Sequence, residues 1–527
     1  MHKLKSYYFL LVLTVFSCQN YYQSDRFKNV FRYNESKGIT SLDPAFARSQ
    51  TNIWPVNQLF NGLVQLDDSL QVVPCIARRW TVSNDGLVYT FVLRKDVYFH
   101  DSSLFPGGKG RRVVAGDFEY SLGRLVDEKV ASPGSWILNG IDKNASNHFK
   151  GFVALNDSVF QISLIRPFPA FLGLLTMQYC SVVPREVVEH YGDDFRNHPI
   201  GTGPFQFKYW KEGEKLVLVK NPNYFEFDSN HHRLPYLDAV DISFIADKQS
   251  EFLEFMKGNI DFLSGVQSVY KDELITKGGK LNPKYRNRFV MLTHPYLNTE
   301  YLGFLLDSTS EIGRGNPFKD IRIRQAINYG FDRVKMVRYL RNNLAIPAVN
   351  GFVPLGMPFF SDKPISGYSY NPDKARKLLQ QAGFPNGNGL PNLTLTVTSD
   401  YLDLCEFIQH ELEQIGVKVN IDVSTGAKFK DMVANSKLIF FRGSWIADYA
   451  DAENYLSLFY SKNLSPGGPN TTHFTNPLFD QLYDKSLKEF DVHRRIAYYK
   501  QMDKMIVDKA AVVPLYYDVA VRFTQKD

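Results

Sequence analysis

Cysteine is scarce, with four in 527 residues, at positions 18, 75, 180 and 405. These separations are far too wide for a Cys-x-x-Cys metal or redox motif. The three thiols beyond Cys18 could supply one disulfide in an exported chain, and nothing selects the pair. An excess of one charge is lacking too. Lys and Arg number 61 against 55 Asp and Glu, a net +6, and their interspersion leaves no nucleic-acid footprint. The basic run Lys109-Gly110-Arg111-Arg112, in the 102–114 loop, reads as a solvated insertion rather than a binding patch. Catalytic signatures are missing as well. There is no His-Glu-x-x-His, no Gly-x-Ser-x-Gly elbow and no zinc-like spacing among the 11 His. Gly107-Gly108-Lys109-Gly110 lacks the spacing and hydroxyl of a phosphate loop, and Gly201-Thr202-Gly203-Pro204 lacks the third glycine of a dinucleotide fingerprint. His231-His232 reads as a surface pair. The sequence therefore predicts neither an enzyme nor a metal or cofactor site.

Long apolar runs are confined to the N-terminus. Lys3 and Lys5 precede an apolar stretch from Tyr7 to Phe16, about half the roughly twenty residues a membrane span requires and suited to a signal-peptide core. It ends in Val15-Phe16-Ser17-Cys18, which resembles the lipobox of bacterial lipoproteins, where the cysteine becomes the lipidated first residue. Phe16 departs from that pattern, which favours a small or β-branched side chain. The expectation is a signal peptide over 1–17 and a lipidated polar spacer over 18–26. Several acyl chains at about 0.8 kcal/mol per buried methylene would hold Cys18 in a membrane permanently. An ordinary cleaved signal peptide with an incidental cysteine is the alternative.

What the chain does have is apolar mass: 44% hydrophobic residues, including 41 Phe and 30 Tyr. A body of this size exceeds one core and implies at least two domains. Asn371-Pro372 opens a predicted helix with Ala375, Leu378, Leu379 and Ala382 on one face, stopped by Gly383. Leu393, Leu395 and Val397 alternate as a strand. Cys405, Ile408, Leu412 and Ile415 form a second helical face, and Val417, Val419 and Ile421 a second strand. That is a βαβ unit, so the fold class is α/β. Another helix is predicted from Pro317 through Ile323, Ala326, Ile327, Phe331 and Val334, with Arg322, Arg324 and Arg333 on its flanks. Asn84-Asp85-Gly86 before Tyr89–Arg94 predicts a hairpin. No repeat and no low-complexity linker separates modules, which suggests domains crossed more than once by the chain.

A series of phrases then stands in order. Ser41-Leu42-Asp43-Pro44 is followed by Leu59-Phe60-Asn61-Gly62-Leu63-Val64, Pro74–Trp80, Ser83–Gly86, Phe99-His100-Asp101 and Ala115–Ser121. Gly201–Phe205, Asn221-Pro222-Asn223-Tyr224, Arg322–Ile327 with Asp332-Arg333, and Trp445-Ile446-Ala447-Asp448-Tyr449 complete it. Over nearly the whole mature chain this resembles the family-5 extracellular solute-binding proteins of ABC importers, the oligopeptide- and dipeptide-binding proteins. Two departures stand out: the longer 102–114 loop, and Ala452 where many members carry proline.

The resemblance implies a type II periplasmic-binding-protein-like fold, two lobes on a hinge with an inserted third domain. The first lobe would take 27–60, 188–290 and 513–527, the insertion 61–187, and the second lobe 291–512. The hinge would lie near Phe289–Leu292 and Val512–Leu515. It implies a lipid-anchored periplasmic monomer that captures short peptides and hands them to an ABC permease, with no nucleic-acid partner. A nickel chelate, sugar or signalling molecule is the alternative ligand. By the same resemblance Asp448 pairs with a peptide α-ammonium, a charge-assisted bond of about 1.5–3 kcal/mol. Arg442 faces the ligand and Trp445 walls the pocket. The loop Arg48-Ser49-Gln50-Thr51, with Gln50 at its centre, pairs with the ligand main chain as an added strand would. The structural alternatives are that Asp448 caps the turn before Tyr449, Arg442 forms an internal ion pair, and Trp445 is core.

Overall fold

The computed structural model describes residues 27–142, 151–265, 268–307 and 309–526; the predicted signal segment and Cys18 lie outside the described residues. Local expectations from 371 to 423 are met. Helix Pro372–Gln381 opens with the Asn371 side chain accepting from the Lys374 amide at 2.9 Å, and Gly383 follows at φ +92°. Strands Leu393–Val397 and Val419–Val423 pair in parallel around helix Leu402–Glu413, whose Cys405 is fully buried. Strands Ala77–Val82 and Val88–Leu93 form the expected hairpin.

The helix predicted from Pro317 is instead three pieces: a single turn Pro317–Lys319, then helices Ile321–Tyr329 and Arg333–Leu340. Asp332 restarts the chain by accepting from the Val334 and Lys335 amides, which leaves Val334 50% exposed rather than on the core face. Of the three arginines expected on the flanks, Arg322 is part exposed, and Arg324 and Arg333 are buried. Arg333 donates to the Pro514 and Asn328 carbonyls, and Arg324 to those of Ala510 and Lys509. The 102–114 loop is likewise not simply solvated. Arg111 grips Asp117 through two bonds of 2.7 and 2.9 Å and also pairs with Glu186, while Lys109 pairs with Asp101.

An eleven-stranded mixed sheet runs through the molecule. Two long antiparallel strands, Phe289–Phe304 and Val512–Gln525, form its middle. On one side they meet Phe440–Ile446, Leu393–Val397 and Val419–Val423. On the other lie Phe262–Ser264, Val30–Asn34, Ala239–Ser243, Lys215–Lys220 and Phe205–Lys211, and the eleventh strand, Ala345–Pro347, pairs with Val512–Gln525 off this path. A four-stranded antiparallel sheet spans Ala77–Val82, Val88–Leu93, Val159–Ser163 and Phe152–Asn156.

The register of the long pair shifts between Pro295 and Thr299, opposite Val519 and Tyr517. Before the shift Phe289 and Phe523 pack with Phe252, Phe255 and Leu263; beyond it Leu302, Phe304, Val513 and Leu515 pack with helices of 321–412. The changeover between cores therefore lies at Tyr296–Asn298. The stretches expected as the hinge do not meet, since Phe289 opposes Gln525 and Val512 opposes Gly303. A third cluster unites residues 33–244, so the segment 61–187 shares its core with the segments on both sides of it. His100 fastens that union: it is 2% exposed, its Nε2 donates to the Gly203 carbonyl at 3.0 Å, and its Nδ1 accepts from the Gly201 amide at 3.3 Å. A Cβ on Gly201 would sit 2.0 Å from the Leu59 carbonyl oxygen, which explains the glycine there.

Candidate functional site

Strand Phe440–Ile446 runs parallel to Leu393–Val397 and delivers Ala447-Asp448-Tyr449 just beyond its carboxyl end. Open α/β sheets bind ligands outside the carboxyl ends of their strands. A cavity of about 570 Å³ lies here, lined by Asp400, Thr425, Lys430, Ser444 and Trp445 among others.

Asn454 organises the loop. Its Oδ1 accepts from Trp445 Nε1 at 2.8 Å and from the Asp448 amide at 3.3 Å, and its Nδ2 reaches Asp448 Oδ2 at 3.4 Å. Trp445 and Asp448 are thus held by one side chain, and neither caps the following helical turn. Asp451 does that, accepting from the Glu453 amide at 2.9 Å. Tyr449 turns into the core against Phe168 and Gly173, its hydroxyl on the buried Glu453. Asp448 itself meets solvent, yet partial desolvation raises its carboxyl above the usual carboxylate range, opposed only by the Asn454 bond. Among the described residues no cation lies within ion-pair distance of it.

Tyrosines surround this carboxylate. The Tyr179 hydroxyl lies within electrostatic reach of Asp448 and Arg48, and Gln178 fixes that turn by donating to the Ala47 carbonyl at 2.6 Å. The Tyr455 hydroxyl donates to the Leu297 carbonyl at 2.5 Å and feels both Asp448 and Tyr296.

Arg442 lines the same cavity, but its charge is paired. Side chains alternate along a strand, so Arg442 and Trp445 leave opposite faces. The guanidinium pairs with Glu300, the two side chains being 11% and 2% exposed, and its Cζ lies 3.3 Å from the Tyr401 ring centroid. Ser444 Oγ and Asn298 Nδ2 also donate to Glu300, at 2.8 and 3.0 Å. This arrangement ties strand Phe440–Ile446 to Phe289–Phe304 and pairs the Arg442 charge, while the buried Arg442 Nε has no hydrogen-bond partner among the described residues. Gln50 does not lie in an extended loop. It opens helix Gln50–Leu59 after Ser49, is exposed, and shares no hydrogen bond with the other three residues.

Sequence reasoning missed Asn454, Tyr179, Tyr296 and Glu300. Only Glu300 left a signal, a lone acid in the run Tyr296–Phe304 that is otherwise uncharged. Cys75, Cys180 and Cys405 are buried free thiols. One cluster imitates a catalytic triad: Ser436 Oγ lies 2.8 Å from His473 Nε2, and His473 Nδ1 lies 3.6 Å from Asp307. The same Nε2 is 3.0 Å from the Ser465 carbonyl oxygen, which only a protonated nitrogen satisfies, so it is not placed as a base.

The family model for bacterial extracellular solute-binding proteins, family 5 Middle, matches residues 71–466. The periplasmic oligopeptide-binding protein OppA of Salmonella typhimurium is 28% identical over 510 residues, spanning 93% of this chain and 88% of that protein. Heme-binding protein A of Haemophilus influenzae is 26% identical over 512 residues, spanning 93% and 87%. A solved structure of the ABC transporter-associated periplasmic binding protein DppA from Helicobacter pylori, in complex with peptide STSA, matches at TM-score 0.70 and 26% identity, over 95% of this chain and 94% of that one.

Proposed function

The chain belongs to the bacterial extracellular solute-binding proteins of family 5, which deliver substrate to ABC transporters, and on that premise we propose that its substrate is a short peptide held by its α-ammonium at Asp448. The observation that carries this reading is a partly desolvated carboxylate with no cation within ion-pair distance among the described residues, beside a tryptophan positioned by the same asparagine. An ammonium arriving there gains a charge-assisted bond and lowers the cost of the desolvated acid. A neutral sugar would bring no such cation. The peptide-binding relatives support the reading; the heme-binding relative marks the breadth of the family.

The binding cleft then lies between a body of 27–295 with 519–526, in which the insertion is cored together with the first lobe, and a second body of 299–517. Cys18 carries the lipid tether, so that the monomer works beside its permease. Among the described residues no helix is long and apolar enough to cross a membrane.

Native mass spectrometry of the purified protein identifies the ligand that it carries. Asp448→Asn should then weaken binding of that ligand, or of a synthetic tripeptide, at least tenfold by calorimetry with an unchanged melting curve. Equal affinity would remove the ammonium role.

A further inference from the structure

A zwitterionic ligand needs a cation as well as an anion, and the Arg442 charge is already balanced by Glu300. Arg341 donates to the Tyr516 hydroxyl and lies within reach of the Asp403 and Asp518 charges. Arg48 is exposed and sits near Tyr179, on the Asp448 side of the cleft. Arg522 is different. It lies on the second long strand, opposite the 40% exposed Leu292, next to the changeover between the two cores. Its guanidinium carbon is 5.8 Å from the Trp54 ring centroid. Its one hydrogen bond among the described residues is to the Val521 carbonyl, and no carboxylate lies within ion-pair distance. Burial lowers its pKa, and Tyr296 is its one ionisable neighbour within electrostatic reach among the described residues. A half-buried guanidinium without an anion is poorly solvated, and an entering carboxylate relieves that cost.

The positions of the two free charges are related. Tyr296 lies within electrostatic reach of Arg522 on one side and of Tyr455 on the other, and Tyr455 is within reach of Asp448. Anion and cation are therefore linked through two neighbouring tyrosines, Tyr455 beside Asp448 and Tyr296 beside Arg522, with Tyr296 at the changeover between the two cores. We propose that Arg522 is the specificity-determining anchor for the ligand's carboxylate, so that a peptide lies with its ammonium at Asp448 and its C-terminus over Trp54. This rests on the peptide reading above. Its consequence is a ruler: two fixed charges favour one short peptide length and a free C-terminus.

The test is calorimetry with tri-, tetra- and penta-alanine, each as free acid and as C-terminal amide. With the wild-type chain, amidation should weaken the best-bound length at least tenfold. Arg522→Gln should weaken the free acid by a similar factor and abolish the difference between acid and amide. Arg522→Lys, which keeps the charge and loses the fork, should retain a reduced difference and serves in its place if Arg522→Gln does not fold. An undiminished amidation penalty in either variant, or none in the wild type, overturns the anchor and leaves the peptide reading standing. No binding of any peptide by the wild type overturns both.

Discussion

At the scale of single residues, charges differ in their partners. Among the described residues Asp448 and Arg522 have no counter-ion within ion-pair distance, whereas Glu300 and Arg442 are buried on each other. Breaking a buried pair strands a charge, so Glu300→Gln should cost about 3–5 kcal/mol in urea unfolding. Glu300→Leu combined with Arg442→Met should recover most of that loss, because neither charge is then left alone. A double variant no more stable than Glu300→Gln would contradict the pairing. The sequence pointed to Asp448, Arg442 and Trp445 through one phrase, but it carried no sign that a strand partner 142 positions earlier neutralises the arginine. Strand register decides that, and register is a tertiary fact.

At the scale of elements, short phrases legible in the sequence prove to be joints. Gly201 and Gly203 lie against the end of helix Gln50–Leu59, where a side chain would collide with the Gln58 and Leu59 carbonyls. His100 stitches that loop to the segment beginning at Phe99, and burial lowers its imidazole to about 4. A histidine pKa depressed on folding stabilises fully above its unfolded value, near 6.5, and the contribution fades as pH falls through 4. The effect is worth about 3 kcal/mol at most. His100→Gln should therefore melt well below the wild type at pH 7, and the gap should narrow at pH 4; a gap independent of pH would reject a buried neutral imidazole. The helix predicted from Pro317 fails for a similar local reason. Apolar periodicity carried the reading through Gly330, while the Asp332 cap restarts the helix and turns Val334 outward. Arg333 looked like a surface residue because the carbonyls that satisfy it, at Asn328 and Pro514, meet only in the folded chain.

At the scale of the whole molecule, two strands carry one sheet through two separate cores, and their register shift at Tyr296–Asn298 marks the boundary. Bodies with separate cores need not unfold together. Scanning calorimetry of the free protein should give a total enthalpy exceeding the van't Hoff value, and bound ligand, bridging both bodies, should raise and merge the transitions. One two-state transition without ligand would mean that Tyr449 and its neighbours couple the bodies fully. The sequence by itself determined the α/β class, the βαβ unit of 393–423, the order of family phrases and the position of Asp448, because these depend on local periodicity, caps and contiguous motifs. Tertiary structure alone decided where the two cores change over along the long strands, that the Arg442 charge is paired with Glu300, and that Arg522 has no ion-pair partner among the described residues. Each of those depends on which strands become neighbours and on what burial takes from water, and residues hundreds of positions apart set both.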